Sequence, residues 1–359
     1  MRPNPNVSKH RPVVHGGMFS VRGLSSDVLD FSSNINPLGM SPRVKQAIRK
    51  NLDLFETYPD SHSQHLRSTL ESYTGVPSSC IVIGNGATEI IYNFCLAFLS
   101  GSTPVLIAIP TFEEYETAAR LAGANPSFFC TMNLQDDLEM FLSRIPSNGY
   151  VFVCNPNNPT GTLVPKNHME KIIRQAKKRG TAVFVDESFM DLVHGRGESV
   201  MQLIQKYRNL IVLYSLTKSF ALAGMRLGYC IGSKRVISTL DRVRIPWNVS
   251  GIAQKAVPAA LSDLAHLDNA KRIIKTETEF LKKEISKIDG FKCHDTSANF
   301  ILIKTSMDST TLQKKLLKRK ILVRDCKSFR GLDSSYIRIA VKTRRENKKL
   351  IEALALWDR

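Results

Sequence analysis

The chain has 359 residues, of which 43% are apolar and 23% are charged, and its net charge is +18. The composition is that of a globular protein, and the length suits one large domain with a smaller one. The basic residues occur in short runs spread along the chain, whereas nucleic-acid-binding proteins concentrate them in a patch with interleaved aromatic residues. The charge therefore indicates solvated basic surfaces, which also attract anionic ligands.

Cysteine usage and hydropathy exclude several other classes of protein. The seven cysteines are scattered without a C-x-x-C pair, which argues against a disulfide framework or a metal site and favours a reducing, cytoplasmic location. The N-terminus lacks the apolar core of a secretory signal. The most apolar window, residues 90–110, is interrupted by polar residues and glycine at 100–104, so we expect a buried helix and strand there and no membrane span.

The first two thirds of the chain predict an α/β fold. Residues 1–30 show little apolar periodicity and are expected to form an irregular arm, and Ser41 before Pro42 predicts a helix over 41–54. From residue 64, short apolar runs alternate with amphipathic segments such as 168–179. The predicted strands are 80–83, 105–109, 151–154, 182–185, 211–214 and 228–231. This alternation is typical of a mainly parallel sheet covered by helices on both faces.

After residue 255 the pattern changes to that of an α+β domain. A long charged helix is predicted at 268–288, followed by strands at 299–304, 321–324 and 336–341 and a last helix at 346–357. We therefore expect three parts. Residues 1–52 form the arm and the start of a small domain, residues 53–255 form the large domain, and residues 256–359 complete the small domain.

The ends of the predicted strands carry polar groups, and in such folds ligands bind at the carboxyl ends of the strands. The first strand runs into a glycine-containing turn at 84–89, where backbone N–H groups can approach a phosphate at a helix N-terminus. Tyr115, one helical turn past the second strand, could stack on a planar ring, although a lone tyrosine is more often a core residue. The third strand leads into N-N-P-T-G at 157–161, which offers amide donors from Asn158.

The fourth and fifth strands end in ionisable residues. Asp186 closes an apolar strand, where a buried carboxylate needs a cationic partner such as a protonated pyridine nitrogen. Lys218 follows the next strand, and a partly buried lysine with a lowered pKa can form an imine. Ser215, Thr217 and Arg226 can all donate hydrogen bonds to a phosphate.

Together these groups are the ones that pyridoxal 5′-phosphate (PLP) requires. Their order resembles that of the aspartate-aminotransferase-like superfamily, the fold type I PLP enzymes, over nearly the whole chain. The resemblance implies that Lys218 forms the imine, Asp186 binds the ring nitrogen, Asn158 binds O3′, Tyr115 stacks on the ring, and Ala87, Thr88, Ser215, Thr217 and Arg226 hold the phosphate. It also implies that Tyr58 reaches the cofactor of a neighbouring subunit, in a homodimer with shared active sites.

Within this superfamily the chain is similar to two groups, the histidinol-phosphate aminotransferases and the threonine-phosphate decarboxylases of cobalamin synthesis. Both groups share Y-P-D at 58–60, N-N-P-T-G, D-E at 186–187, and arginines at 324 and 338. Several features favour the decarboxylases: H-G-G at 15–17, the segment 30–39, the segment 324–341, and Phe189, where the aminotransferases usually place a tyrosine on O3′.

The resemblance implies decarboxylation of L-threonine O-3-phosphate to (R)-1-amino-2-propanol O-2-phosphate. Its substrate-binding residues would be His15, Asn34, Arg324 and Arg338, and two arginines suit a substrate with two anionic ends. Which arginine binds the carboxylate stays open. The alternatives are L-serine O-phosphate as substrate, a histidinol-phosphate aminotransferase, and a non-catalytic regulator or nucleic-acid-binding protein, which the intact set of catalytic residues disfavours.

Overall fold

The computed structural model describes residues 1–8, 10–21, 25, 27–195 and 197–357, so that part of the predicted arm lies outside the described residues. The strands are β1 Leu29–Asp30, β2 Ile81–Asn85, β3 Val105–Ile109, β4 Ser127–Cys130, β5 Tyr150–Cys154, β6 Ala182–Asp186, β7 Leu210–Ser215, β8 Leu227–Ile231, β9 Phe291–Cys293, β10 Phe300–Thr305, β11 Ile321–Leu322, β12 Arg324–Asp325 and β13 Tyr336–Ala340. The α-helices are α1 Pro5–Ser8, α2 Pro42–Arg49, α3 Gln64–Thr74, α4 Gly86–Phe98, α5 Glu114–Leu121, α6 Leu138–Arg144, α7 Lys166–Lys178, α8 Leu216–Ser219, α9 Lys234–Val243, α10 Gly251–Leu261, α11 Leu264–Ile285, α12 Ser309–Lys318 and α13 Arg344–Leu354. Among the described residues, no helix is both long enough and apolar enough to cross a bilayer.

A seven-stranded sheet organises the larger part of the molecule, with the strand order β2-β8-β7-β6-β5-β3-β4. All its pairings are parallel except those of β8, which runs antiparallel to β2 and to β7. Apolar side chains of α3, α7 and α10 pack on one face, and those of α4, α5 and α9 pack on the other. The predicted α/β fold with a mainly parallel sheet is confirmed.

The pairing register of β5, β6 and β7 places the carboxyl ends of these three strands side by side. Cys154 at the end of β5 pairs with Asp186 at the end of β6, and Asp186 pairs with Leu213 of β7. The residues that follow β5, β6 and β7 therefore leave the sheet along one edge, because parallel strands point their carboxyl ends the same way. This edge forms the base of the cavity described below.

A four-stranded antiparallel sheet, in the order β12-β13-β10-β9, forms the second unit. Its core includes apolar residues of α11, α12 and α13. The short strand β1 pairs in parallel with β11, so residues before α2 pair with a strand of the C-terminal part of the chain. The predicted boundaries at residues 52 and 255 stay predictions.

Several elements differ from the prediction or were not predicted. The helix at 41–54 starts as expected but ends at Arg49, where the Asn51 side chain donates to the Ala47 carbonyl and competes with the helical hydrogen bond. The predicted strand 321–324 is split between β11 and β12, which belong to different sheets. Two elements were not predicted from the sequence: β4, which is a short edge strand with two exposed residues, and α10, which contains Pro258.

Gly228 in β8 provides a test of how α4 is seated on the large sheet. A Cβ atom at this position would lie 2.6 Å from the Ala87 backbone nitrogen and 2.8 Å from the Tyr214 carbonyl oxygen. We expect Gly228→Ala to lower the free energy of unfolding by about 1–3 kcal/mol, because neither backbone atom can move aside easily. Denaturant unfolding checks this, with Gly224→Ala as the control because no atom of the described part of the chain lies within 4 Å of its Cβ position. Equal losses in the two variants would contradict the prediction.

Candidate active site

A cavity of about 450 Å³ lies at the carboxyl edge of the large sheet, between that sheet, the small unit and the N-terminal arm. Of the fourteen residues predicted from sequence for the cofactor and substrate, thirteen line it. These are His15, Asn34, Ala87, Thr88, Tyr115, Asn158, Asp186, Ser215, Thr217, Lys218, Arg226, Arg324 and Arg338. Tyr58 is the exception.

One end of the cavity is built to hold a phosphate. Gly86 begins α4 with a φ of +83°, and a Cβ atom there would lie 2.6 Å from a terminal nitrogen of Arg226. Glycine is therefore required for the guanidinium to approach the helix N-terminus. The hydroxyls of Ser215 and Thr217 lie 2.6 Å apart beside the same space. These donors fit the phosphate of PLP.

Lys218 lies just after β7, on the one-turn helix α8. Burial, together with the positive charges of Arg338 and Arg226, lowers the pKa of the Lys218 amine to about 8. A much larger fraction of this amine is neutral at physiological pH than in an exposed lysine, and the neutral amine is the nucleophile that an aldehyde needs.

Asp186 is 4% exposed, and burial raises the pKa of its carboxyl group. Two hydrogen bonds oppose that effect, from the Tyr115 hydroxyl to Oδ2 at 2.6 Å and from the Ser188 amide to Oδ1 at 2.9 Å. The Tyr115 ring itself stacks on Phe152, with the centroids 5.7 Å apart. In this structure Tyr115 orients Asp186, and its predicted stacking on the cofactor stays a prediction.

Phe112 is an aromatic residue of the cavity wall that was not predicted from the sequence. It is half-buried, and its ring centroid lies 5.9 Å from that of His15 and 5.7 Å from that of Tyr115. Both Phe112 and Tyr115 follow β3 in the same P-T-F-E-E-Y segment, so the motif contained two aromatic residues that could have been considered for the cavity wall. The sequence could not show that both rings border the cavity, nor that Tyr115 is the more deeply buried of the two.

Two arginines lie directly opposite each other on neighbouring strands of the small unit, Arg324 on β12 and Arg338 on β13. Arg338 donates to the Asn158 side-chain oxygen and, at 2.8 Å, to the Ser32 carbonyl. Among the described residues, neither its Nε nor Oδ1 of Asn34 has a hydrogen-bond partner. Burial lowers the pKa of Arg338 to about 10. Such unpaired buried groups are costly without a ligand, so this part of the cavity is suited to bind one.

Arg324 lies nearer the arm than Arg338. It donates to the Val14 carbonyl at 2.5 Å and to the Ser328 hydroxyl at 3.1 Å, and its guanidinium is 3.6 Å from Glu113. Burial raises the pKa of Glu113 despite the attraction of Arg324. The cavity thus has one arginine beside Asn158, which is predicted to bind the cofactor, and a second beside the arm.

Phe189 and Tyr58 occupy informative positions. Phe189 lines the cavity and packs edge-on against Phe300 at 5.0 Å, so the wall presents a ring without a hydroxyl at this point. Tyr58 is 82% exposed, outside the cavity of its own subunit, and its ring lies 4.8 Å from that of Trp247. Its predicted role in a partner's site stays a prediction.

The lowered pKa of Lys218 predicts how cofactor attachment depends on pH. Because only the neutral amine attacks an aldehyde, the rate at which the apoprotein attaches PLP should rise with pH, with a midpoint near 8, and level off above it. Borohydride trapping followed by peptide mapping measures modification at Lys218, and exposed lysines in the same sample serve as an internal control. A midpoint near the ordinary lysine value of 10.5 would contradict the prediction.

Comparisons with known proteins agree with this geometry. Residues 26–354 match the family model described as aminotransferase class I and II. A histidinol-phosphate aminotransferase of Moorella thermoacetica is 34% identical over 331 residues, which are 91% of this chain and 85% of the relative. A provisionally named threonine-phosphate decarboxylase of Caldanaerobacter subterraneus subsp. tengcongensis is 33% identical over 354 residues, covering 96% of this chain and 94% of the relative.

Among solved structures, the L-threonine-O-3-phosphate decarboxylase of Porphyromonas gingivalis superimposes with a TM-score of 0.83 at 26% identity, over 91% of this chain and 98% of that one. Proteins with either activity in their names are thus similarly close, and the comparisons do not separate the two activities. The chain belongs to the class I and II aminotransferase family, and it is a PLP-dependent enzyme.

Proposed function

We propose that the enzyme decarboxylates L-threonine O-3-phosphate to (R)-1-amino-2-propanol O-2-phosphate, which serves the nucleotide loop of cobalamin in the cytoplasm. The observation that carries the proposal is the pair of buried arginines, Arg324 and Arg338, at two positions along one cavity. A carboxylate and a phosphate monoester on one small molecule would satisfy both guanidinium groups.

The contacts of the two arginines suggest which anion each one binds. Arg338 contacts Asn158, the predicted partner of the cofactor's O3′, and therefore lies where the carboxylate on Cα would be. Its unpaired Nε is available for that carboxylate. Arg324 contacts the arm next to His15, where the phosphate of the substrate would lie.

When bound, PLP withdraws electrons from Cα of the amino acid, so that a bond at Cα can break. The Asp186 carboxylate holds a positive charge at the ring nitrogen, and Tyr115 and Ser188 keep that carboxylate in place. Asn158 can donate from its amide nitrogen, because its oxygen already accepts from Arg338. The Lys218 amine, with its pKa near 8, can accept or return a proton at Cα.

A second candidate is histidinol-phosphate aminotransferase, the name carried by relatives at up to 34% identity. Glu113 also favours it, since a carboxylate in the wall beside Arg324 could accept a hydrogen bond from an imidazole. L-Serine O-phosphate is a further substrate to compare, because it differs by one methyl group, worth ~1–3 kcal/mol of discrimination.

A homodimer with shared sites is part of the proposal. Large apolar side chains are exposed on segments near Tyr58, namely Leu52, Phe55, Ile245 and Trp247. Tyr58 and Trp247 pack against each other, which makes this a patch and not a set of scattered residues. Exposed apolar patches of this kind mark protein interfaces. The surface could place Tyr58 at the partner's cofactor.

Carbon dioxide release tests the proposed reaction. We expect the holoenzyme to release carbon dioxide catalytically from L-threonine O-3-phosphate without an added oxo acid, and Lys218→Ala to abolish release. L-Serine O-phosphate in the same assay ranks the two substrates. Absence of release, together with conversion of the spectrum to the pyridoxamine form on addition of histidinol phosphate, would overturn the decarboxylase and leave the aminotransferase.

Lysine substitutions test the assignment of the two arginines. Arg338→Lys should weaken binding of L-threonine and of its phosphate alike, roughly tenfold or more, because a bidentate contact to the shared carboxylate is lost. Arg324→Lys should weaken binding of the phosphorylated ligand selectively. Titrations followed by cofactor absorbance measure both ligands in both variants. The opposite selectivity would show that the two anions are bound the other way round.

A further inference from the structure

Glu114 is a buried carboxylate at the first position of α5, and both of its oxygens are used. Oε1 is 2.6 Å from His15 Nε2, and Oε2 accepts from the Tyr92 hydroxyl at 2.6 Å. The Glu114 side chain is 7% exposed, while that of His15 is 51% exposed. Burial alone would raise the pKa of Glu114, but the hydrogen bonds from His15 and Tyr92 outweigh it and the pKa is lowered. Glu114 is therefore ionised at neutral pH.

This contact determines the orientation of the His15 ring. An ionised carboxylate can only accept hydrogen bonds, so His15 Nε2 must carry the hydrogen. Nδ1 is then the ring nitrogen left for a ligand, and His15 lines the cavity. Nδ1 donates to a phosphate oxygen when the ring is protonated, and it accepts from a protonated phosphate when the ring is neutral. Phe112 supports the ring from the side, with the centroids 5.9 Å apart. The half-exposed ring of His15 thus has a defined orientation, which its hydrogen bond to Glu114 determines.

The same contact attaches the arm to the large unit. Two other hydrogen bonds hold this part of the arm, from Arg324 to the Val14 carbonyl at 2.5 Å and from the Gly17 amide to the Ser32 hydroxyl at 2.7 Å. Arg324 lies on β12 of the small unit, and Ser32 lies just after β1. The bond to Glu114 brings in α5, which follows β3 of the large sheet.

We infer that Glu114 is the positioning residue that directs His15 toward the phosphate end of the substrate, beside Arg324. The inference deepens the proposed function and rests on it only in that the substrate carries a phosphate monoester. Glu114 itself touches neither cofactor nor substrate in this arrangement. It acts through His15, because its carboxylate accepts the hydrogen bond from Nε2 that holds the His15 ring in place.

Binding of inorganic phosphate to the holoenzyme tests this role without any turnover. Glu114→Gln keeps the side-chain volume but removes the charge, and we expect roughly tenfold weaker phosphate binding by calorimetry. His15→Ala should have a similar effect, and the double variant should bind no more weakly than His15→Ala. Affinity for L-threonine, which lacks the phosphate, should change less than about twofold, since a loosened structure would weaken both ligands.

Glu116→Gln is the matched control, because it removes a carboxylate from the same helix outside the cavity, where Glu116 pairs with Arg330 and Arg120. It should bind phosphate as the wild type does. Unchanged phosphate affinity in Glu114→Gln, equal losses for phosphate and L-threonine, or a further loss in the His15→Ala background would each overturn the role of Glu114. If carbon dioxide release fails but Glu114→Gln weakens phosphate binding selectively, the decarboxylase proposal falls and the positioning role stands.

Discussion

The structure depends on holding several charged groups out of water around one cavity. Asp186, Lys218, Arg324 and Arg338 all line it, and Asp186 and both arginines are less than 9% exposed. Burying a charge is costly unless partners replace the lost water. For Asp186 the partners are protein groups, Tyr115 and Ser188. For Arg338 they are incomplete, since its Nε has none, which explains why this site suits anionic ligands.

The same surplus of positive charge accounts for the chemistry expected of Lys218. Arg338 and Arg226 both disfavour the protonated amine, and burial acts in the same direction. Arg226, at the predicted phosphate-binding end, therefore also helps to lower the pKa of the lysine that is predicted to attach the cofactor. Binding an anion there offsets part of the repulsion, so cofactor binding and stability of the folded chain are linked.

The arm shows how a segment with little regular structure becomes part of a precise site. Its residues near His15 are held by one hydrogen bond each to three separate segments of the chain, at Arg324, Ser32 and Glu114. Each contact is a hydrogen bond with at least one partner largely removed from water, where it is stronger than on the surface. The part of the cavity beside the arm is thus assembled from segments distant in sequence.

The sequence by itself determined the fold class and predicted the residues that meet in the cavity at the strand ends, because both follow from local patterns. Apolar runs alternating with amphipathic segments specify a covered parallel sheet, and residues such as Asp186 and Lys218 belong to the site by being at strand ends. Only the tertiary structure decided that Phe112 joins Tyr115 in the cavity wall, that Arg324 and Arg338 lie opposite each other on neighbouring strands, and what holds His15. Those are contacts between residues up to 310 positions apart, such as Arg324 with Val14, and no periodicity or spacing within a short segment encodes them.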